Sequence, residues 1–75
     1  MRSLVSLPTG RWARLVAIGG ERSFRRRLME LGLLPGTAVR VVRHVPVGGL
    51  VEIEVRRSRL TVRCDEADQL FAEEA

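Results

Sequence analysis

The segment from Leu50 to Val55 follows a side-chain period of two, with Val51, Ile53 and Val55 on one face and Glu52 and Glu54 on the other. A side-chain period of two belongs to an extended strand, because successive Cβ atoms point to opposite faces. The pattern therefore demands a sheet with one face buried and one in water. A single such strand is not stable alone, so the rest of the 75 residues must supply pairing partners and a cover for the apolar face.

The same period recurs on both sides. Val39, Val41 and Val45 are set against Arg40 and Arg43, predicting a half-buried strand over 38–45, and Pro46-Val47-Gly48-Gly49 breaks it. Arg56-Arg57-Ser58 makes a tight reversal into 59–63, where Leu60 and Val62 face inward. The segment 12–18 reads as the first strand, after the turn signal Pro8-Thr9-Gly10 and before Gly19-Gly20, with Val16 and Ile18 inward. Between these strands the period changes. Phe24, Leu28 and Leu31 fall at i, i+4 and i+7, one stripe of a helix, with Ser23 as the expected N-cap, Gly32 as the stop and Pro35 where a helix cannot resume. Residues 65–69 fit one helical turn and Leu70-Phe71-Ala72 a closing strand.

These elements predict a mainly β fold, a small, partly open barrel of about five strands with one helix inserted after the first, since a short sheet must curl to protect its edges. The expected core is Val16, Ile18, Phe24, Leu28, Leu31, Val39, Val41, Val51, Ile53, Val55, Leu60 and Val62. The chain is long enough for one domain, 1–75, and too short for a second domain or a deep catalytic cleft.

A membrane-spanning helix needs roughly 20 apolar residues; the longest uninterrupted aliphatic stretch is 15–18. Residues 1–10 lack the apolar region of a signal peptide, so the cytoplasm is the expected compartment. The single cysteine, Cys64, cannot form an internal disulfide and suits a reducing environment. Charge is distributed unevenly: residues 1–63 carry 13 Arg against four acids, whereas residues 64–75 carry five acids and no Arg. The absence of Lys is accounted for by a GC-rich genome as readily as by guanidinium chemistry. A basic body with an acidic tail reads as an anionic partner, as self-association between opposite ends in a homo-oligomer, or as simple solubility.

Candidate chemistry is sparse. His44 and Cys64 are the only soft metal ligands, and a closed zinc site takes four, so one chain cannot supply a His and Cys site unless carboxylates or a symmetric dimer complete it. The plain reading is a strand-end histidine and a half-buried thiol. No P-loop is present, and Asp65, Glu66 and Asp68 cap and solubilise a turn more readily than they form an acid/base pair. No catalytic residue and no cofactor are expected. Arg25-Arg26-Arg27 fan over the side of the helix away from its apolar stripe. Most charge runs are solvated faces, yet three cations on one turn repel each other and sit towards the positive end of the helix dipole, a local cost that a docking surface would explain. Nucleic acid is the lesser reading, because Trp12, Phe24 and Phe71 are the only aromatics and serve better as core or rim than as base-stacking platforms.

The run Arg26-Arg27-Leu28-Met29-Glu30-Leu31-Gly32-Leu33-Leu34-Pro35-Gly36-Thr37 resembles the FeoA family of ferrous iron transport proteins, whose helix ends in Leu-Gly-Leu followed by Pro-Gly-Thr. Val45-Pro46-Val47-Gly48 resembles the family's hairpin loop, and Arg63 with Glu66-Ala67 its Arg and Glu-Ala pair, so the likeness spans nearly the whole chain. Two loop tips depart: Gly49-Leu50 replaces a frequent Asp-Pro, and Arg56-Arg57-Ser58 replaces a hairpin that commonly holds Gly. The resemblance implies an SH3-like fold and a non-enzymatic role on the cytosolic GTPase part of a membrane Fe(II) permease. The expected partner face is Arg25, Arg26 and Arg27 with the neighbouring loop residues Leu33, Leu34, Pro46 and Val47. The alternative is a metal- or nucleic-acid-linked regulator similar to the C-terminal SH3-like domain of iron-dependent repressors. Because Met1 lies almost at the first barrel element, a free-standing protein is expected.

Overall fold

The computed structural model describes residues 1–45 and 47–74. In chain order it contains β1 (Arg2–Ser3), a 3-10 turn (Leu4–Ser6), β2 (Trp12–Ile18), α1 (Arg22–Glu30), β3 (Ala38–Val45), β4 (Leu50–Val55), β5 (Ser58–Arg63), α2 (Cys64–Ala67) and β6 (Leu70–Glu74). All pairings are antiparallel, in the order β1-β6-β2-β3-β4-β5, and the curled sheet encloses one core. The strand β1 is added to the expected set. It pairs Arg2 with Ala72 and Ser3 with Phe71, and its neighbours Leu4 and Leu7 are buried.

The alternation read in 50–55 is the alternation observed, with Val51, Ile53 and Val55 buried opposite β3 and β5. On the outer face Glu54 lies across from Arg40 and Glu52 across from Arg43, and both couples are ion-paired, at 2.7 and 2.9 Å. Exposed pairs of this kind add little stability, but opposite charges directly across a ladder favour one register over its alternatives.

Val16 is not a core residue. The pairing of β2 with β6 shifts between Leu15 and Ala17, a β-bulge that leaves Val16 as the extra residue, 40% exposed. A bulge reverses the phase of alternation, which is why Ala13 and Leu15 face inward before it and Ile18 after it. A second shift, between Val41 and Arg43, sends Val39 and Val41 inward and leaves Val45 half-buried.

Leu31 is also misplaced by its helical period, at 53% exposure. The helix ends at Glu30, and Gly32 adopts φ 98°. The Leu33 N–H donates to the Leu28 carbonyl at 3.0 Å and the Gly32 N–H to the Met29 carbonyl at 3.0 Å, the two bonds of a Schellman motif. That reversal carries Leu33 into the core beside Leu28, both essentially inaccessible, in the position Leu31 would have taken. At the other end the N-cap is Glu21 rather than Ser23, with no side-chain cap bond, so Ser23 lies inside the first turn. Phe24 and Leu60 are partly buried against the core.

Candidate functional site

Charge sorting comes before any site. The acidic tail folds back on the basic body: Glu74 pairs with Arg2 and Arg11 at 3.1 and 3.4 Å, Glu66 pairs with Arg27, and Asp68 accepts from the Ser3 hydroxyl at 3.0 Å. The opposite ends of the sequence therefore meet within one molecule. Arg27, unlike Arg25 and Arg26, is paired within the molecule, since its guanidinium bridges α1 to α2 and lies 5.7 Å from the Phe24 ring centre. Glu66 is held by more than Arg27. It accepts from the Arg63 N–H at 3.0 Å, which caps α2 and holds its carboxyl below the usual range, an effect that partial burial opposes and Arg27 reinforces.

Arg22, Arg25, Arg26, Arg56 and Arg57 make no ion pair or side-chain hydrogen bond among the described residues. Arg22, Arg25, Arg26 and Met29 line one shallow groove on α1, the i, i+3, i+4, i+7 stripe opposite the buried one. That stripe ends at Gly32, where the Arg56 Cδ stands 3.9 Å from the place a Cβ would occupy. Arg56 thus lies beside the turn that ends α1.

Beside the hairpin a cleft opens between Trp12, Leu34, Pro35, Ala38, Arg56 and Arg57. One wall is the turn 34–37, in which the Thr37 N–H donates to the Leu34 carbonyl at 3.0 Å and Gly36 takes φ 93° as the type II geometry requires. The Arg14 guanidinium donates to the Gly36 carbonyl at 2.8 Å and the Gly36 N–H to the Leu15 carbonyl at 2.7 Å, locking that wall to β2. Trp12 is 41% exposed and Leu34 40% exposed, while the Arg40 guanidinium covers the indole at 5.0 Å.

The structure divides the residues expected to meet a partner. Arg25, Arg26 and Leu34 are exposed, but Leu33 is inaccessible because the Schellman turn places it in the core. Val47 is 86% exposed on the hairpin at the far end of β4 from Arg56, so it does not join Leu34; Pro46 lies outside the described residues. His44 is exposed on β3, and Cys64 is half-buried with its N–H donating to the Gly49 carbonyl at 2.8 Å. Among the described residues no three His, Cys, Asp or Glu side chains gather as a metal-holding group. Trp12, Arg22, Met29, Arg56 and Arg57 were not singled out from sequence. A signal did exist at Arg56-Arg57, where two arginines occupy a turn that favours glycine.

A six-stranded curled sheet carrying one longer helix, with its open chemistry confined to an apolar and cationic surface, is a domain of the SH3-like class. The model of the FeoA domain matches residues 2–74, and the chain belongs to the FeoA family of ferrous iron transport accessory proteins. FeoA from Chlorobium tepidum is similar at 33% identity and TM-score 0.88, over 96% of this chain and 69% of that one. FeoA from Stenotrophomonas maltophilia, a prokaryotic SH3 domain protein solved in complex with zinc, is similar at 30% identity and TM-score 0.81, over 97% of this chain and 91% of that one. A manganese-dependent transcriptional repressor shares the fold at 13% identity and TM-score 0.89, with this chain spanning 41% of its length. Among the described residues no helix is long and apolar enough to cross a membrane.

Proposed function

We propose that this protein works in the cytoplasm by docking, through the α1 and β4–β5 surface, on the cytosolic GTPase part of a membrane Fe(II) permease, without catalysis of its own. The observation that carries the reading is the sorting of guanidinium groups. Among the described residues Arg2, Arg11, Arg27, Arg40, Arg43 and Arg59 pair with acids, while Arg22, Arg25 and Arg26 stay unpaired on α1 beside the exposed Met29, and Arg56 and Arg57 stay unpaired beside the exposed Leu34. Unpaired cations around apolar side chains are what an acidic protein surface would complement. Nucleic acid is a poorer match, because base stacking needs several aromatic platforms and the chain has one tryptophan and no tyrosine, with one side of that indole taken by Arg40.

The test is association kinetics with the permease's isolated cytosolic domain. Charges at a rim act mainly through the rate of encounter and are screened by salt. The R22Q/R25Q/R26Q variant should associate several-fold more slowly at low salt, converge on wild type as salt rises, and keep its melting temperature. An unchanged association rate at low salt would remove α1 from the interface.

A further inference from the structure

The β4–β5 hairpin joins Val55 to Ser58, which pair with each other, through Arg56 and Arg57 alone. Both have positive φ, 50° and 68°, and they are the only described non-glycine residues that do. A two-residue loop with this backbone is the type I′ turn, for which Asn-Gly is the favoured pair and branched or long side chains are strained. Two arginines are therefore a poor choice for folding, and their guanidinium groups recover nothing, having no ion pair or side-chain hydrogen bond among the described residues. Uncompensated local strain at a surface turn points to a function of the side chains it carries.

Their surroundings say what that function is. Arg56 and Arg57 form one rim of the cleft whose opposite wall is apolar, made by Leu34, Pro35 and Ala38, with Trp12 as its remaining side. The carboxylate that lines it, Glu54, is neutralised by Arg40 at 2.7 Å, so the cleft's free charge is positive. The wall is preformed by the Arg14 and Gly36 hydrogen bonds to the 34–37 turn, which reduces the ordering cost of binding. A phosphate chain would leave the aliphatic wall of Leu34, Pro35 and Ala38 uncovered, whereas an apolar side chain would cover it.

We infer that this cleft is a peptide-binding site for an acidic segment, with an apolar side chain seated against Leu34, Pro35 and Trp12 and flanking carboxylates on Arg56 and Arg57. The inference rests on the docking function above for the protein that carries the segment, and it deepens that function by naming the chemistry recognised.

Trp12, the only tryptophan, reports on the site directly. A blocked peptide alternating Asp with Leu is titrated while Trp12 emission is followed, with a Lys and Leu peptide of the same length as control. The acidic peptide should shift the emission saturably and lose affinity on adding salt, and the basic peptide should not bind. The R56N/R57G variant should bind the acidic peptide about tenfold more weakly, as loss of two charge-assisted contacts requires, and yet melt at a higher temperature than wild type because its turn is relaxed. Leu34→Glu, which places a competing carboxylate in the cleft, should also lose the peptide. No saturable change in Trp12 emission, equal binding of the basic peptide, or full binding by R56N/R57G overturns the inference. If the permease domain still binds wild type and is slowed by R22Q/R25Q/R26Q while the acidic peptide fails, the cleft assignment falls and the docking function stands.

Discussion

At Gly32 one backbone angle decides which of two leucines enters the core. Its φ of 98° is open to glycine and costly for other L-residues, while a Cβ there would meet only the Arg56 Cδ at 3.9 Å, an ordinary contact. The penalty for substitution is therefore conformational rather than steric. Gly32→Ala should lose about 1–2 kcal/mol in chemical denaturation, and Gly32→Asn less, because Asn tolerates the left-handed region better; equal stability of all three would refute the Schellman assignment. The need for a glycine stop was legible in the sequence. Its consequence for Leu31 and Leu33 was not, since the helical period runs on past the residue where the helix ends.

Between elements, the Arg27 and Glu66 pair ties α1 to α2, and Glu66 also caps α2 through the Arg63 N–H. With its folded pKa lowered from 4.5, Glu66 binds a proton less readily in the folded chain than in the unfolded one. Its contribution to stability is therefore fully present above the unfolded value and is lost as pH falls through the folded one. Thermal unfolding of wild type and Glu66→Gln should differ most at neutral pH, and the gap should close below the ordinary carboxylate pKa of 4.5. A gap that persists unchanged into acid would assign the effect to packing instead of charge. The three adjacent arginines of α1 thus divide into two roles by position, Arg27 towards α2 and Arg25 and Arg26 towards solvent, a division that composition could not show.

Over the whole molecule, stability rests on one enclosed core in which Ile53, Leu15, Leu28 and Leu70 are essentially inaccessible. Ile53→Ala should cost about 2–5 kcal/mol, a large part of the roughly 5–15 kcal/mol a domain possesses. Val16→Ala, on the bulge and exposed, should change stability by no more than about 0.5 kcal/mol. Urea denaturation of the two variants side by side distinguishes the bulged strand from an unbroken alternation, in which both losses would be large.

Local order was readable without coordinates because periodicity and turn chemistry act over a few residues: the strands at 38–45, 50–55 and 59–63, the helix from Phe24 to Leu28, the stop at Gly32 and the turn at Pro35-Gly36 all follow from neighbours in sequence. The order of those motifs also identified the family. Tertiary structure alone decided what depends on distant segments. The bulge at Val16 exists only in the pairing of β2 with β6, the inward turn of Leu4 and Leu7 only once β1 joins β6, and the free cations of α1 and the β4–β5 hairpin only once Glu52, Glu54, Glu66 and Glu74 have paired with other arginines across the fold. Register and charge pairing are properties of two strands at once, and no single segment carries the information to set them.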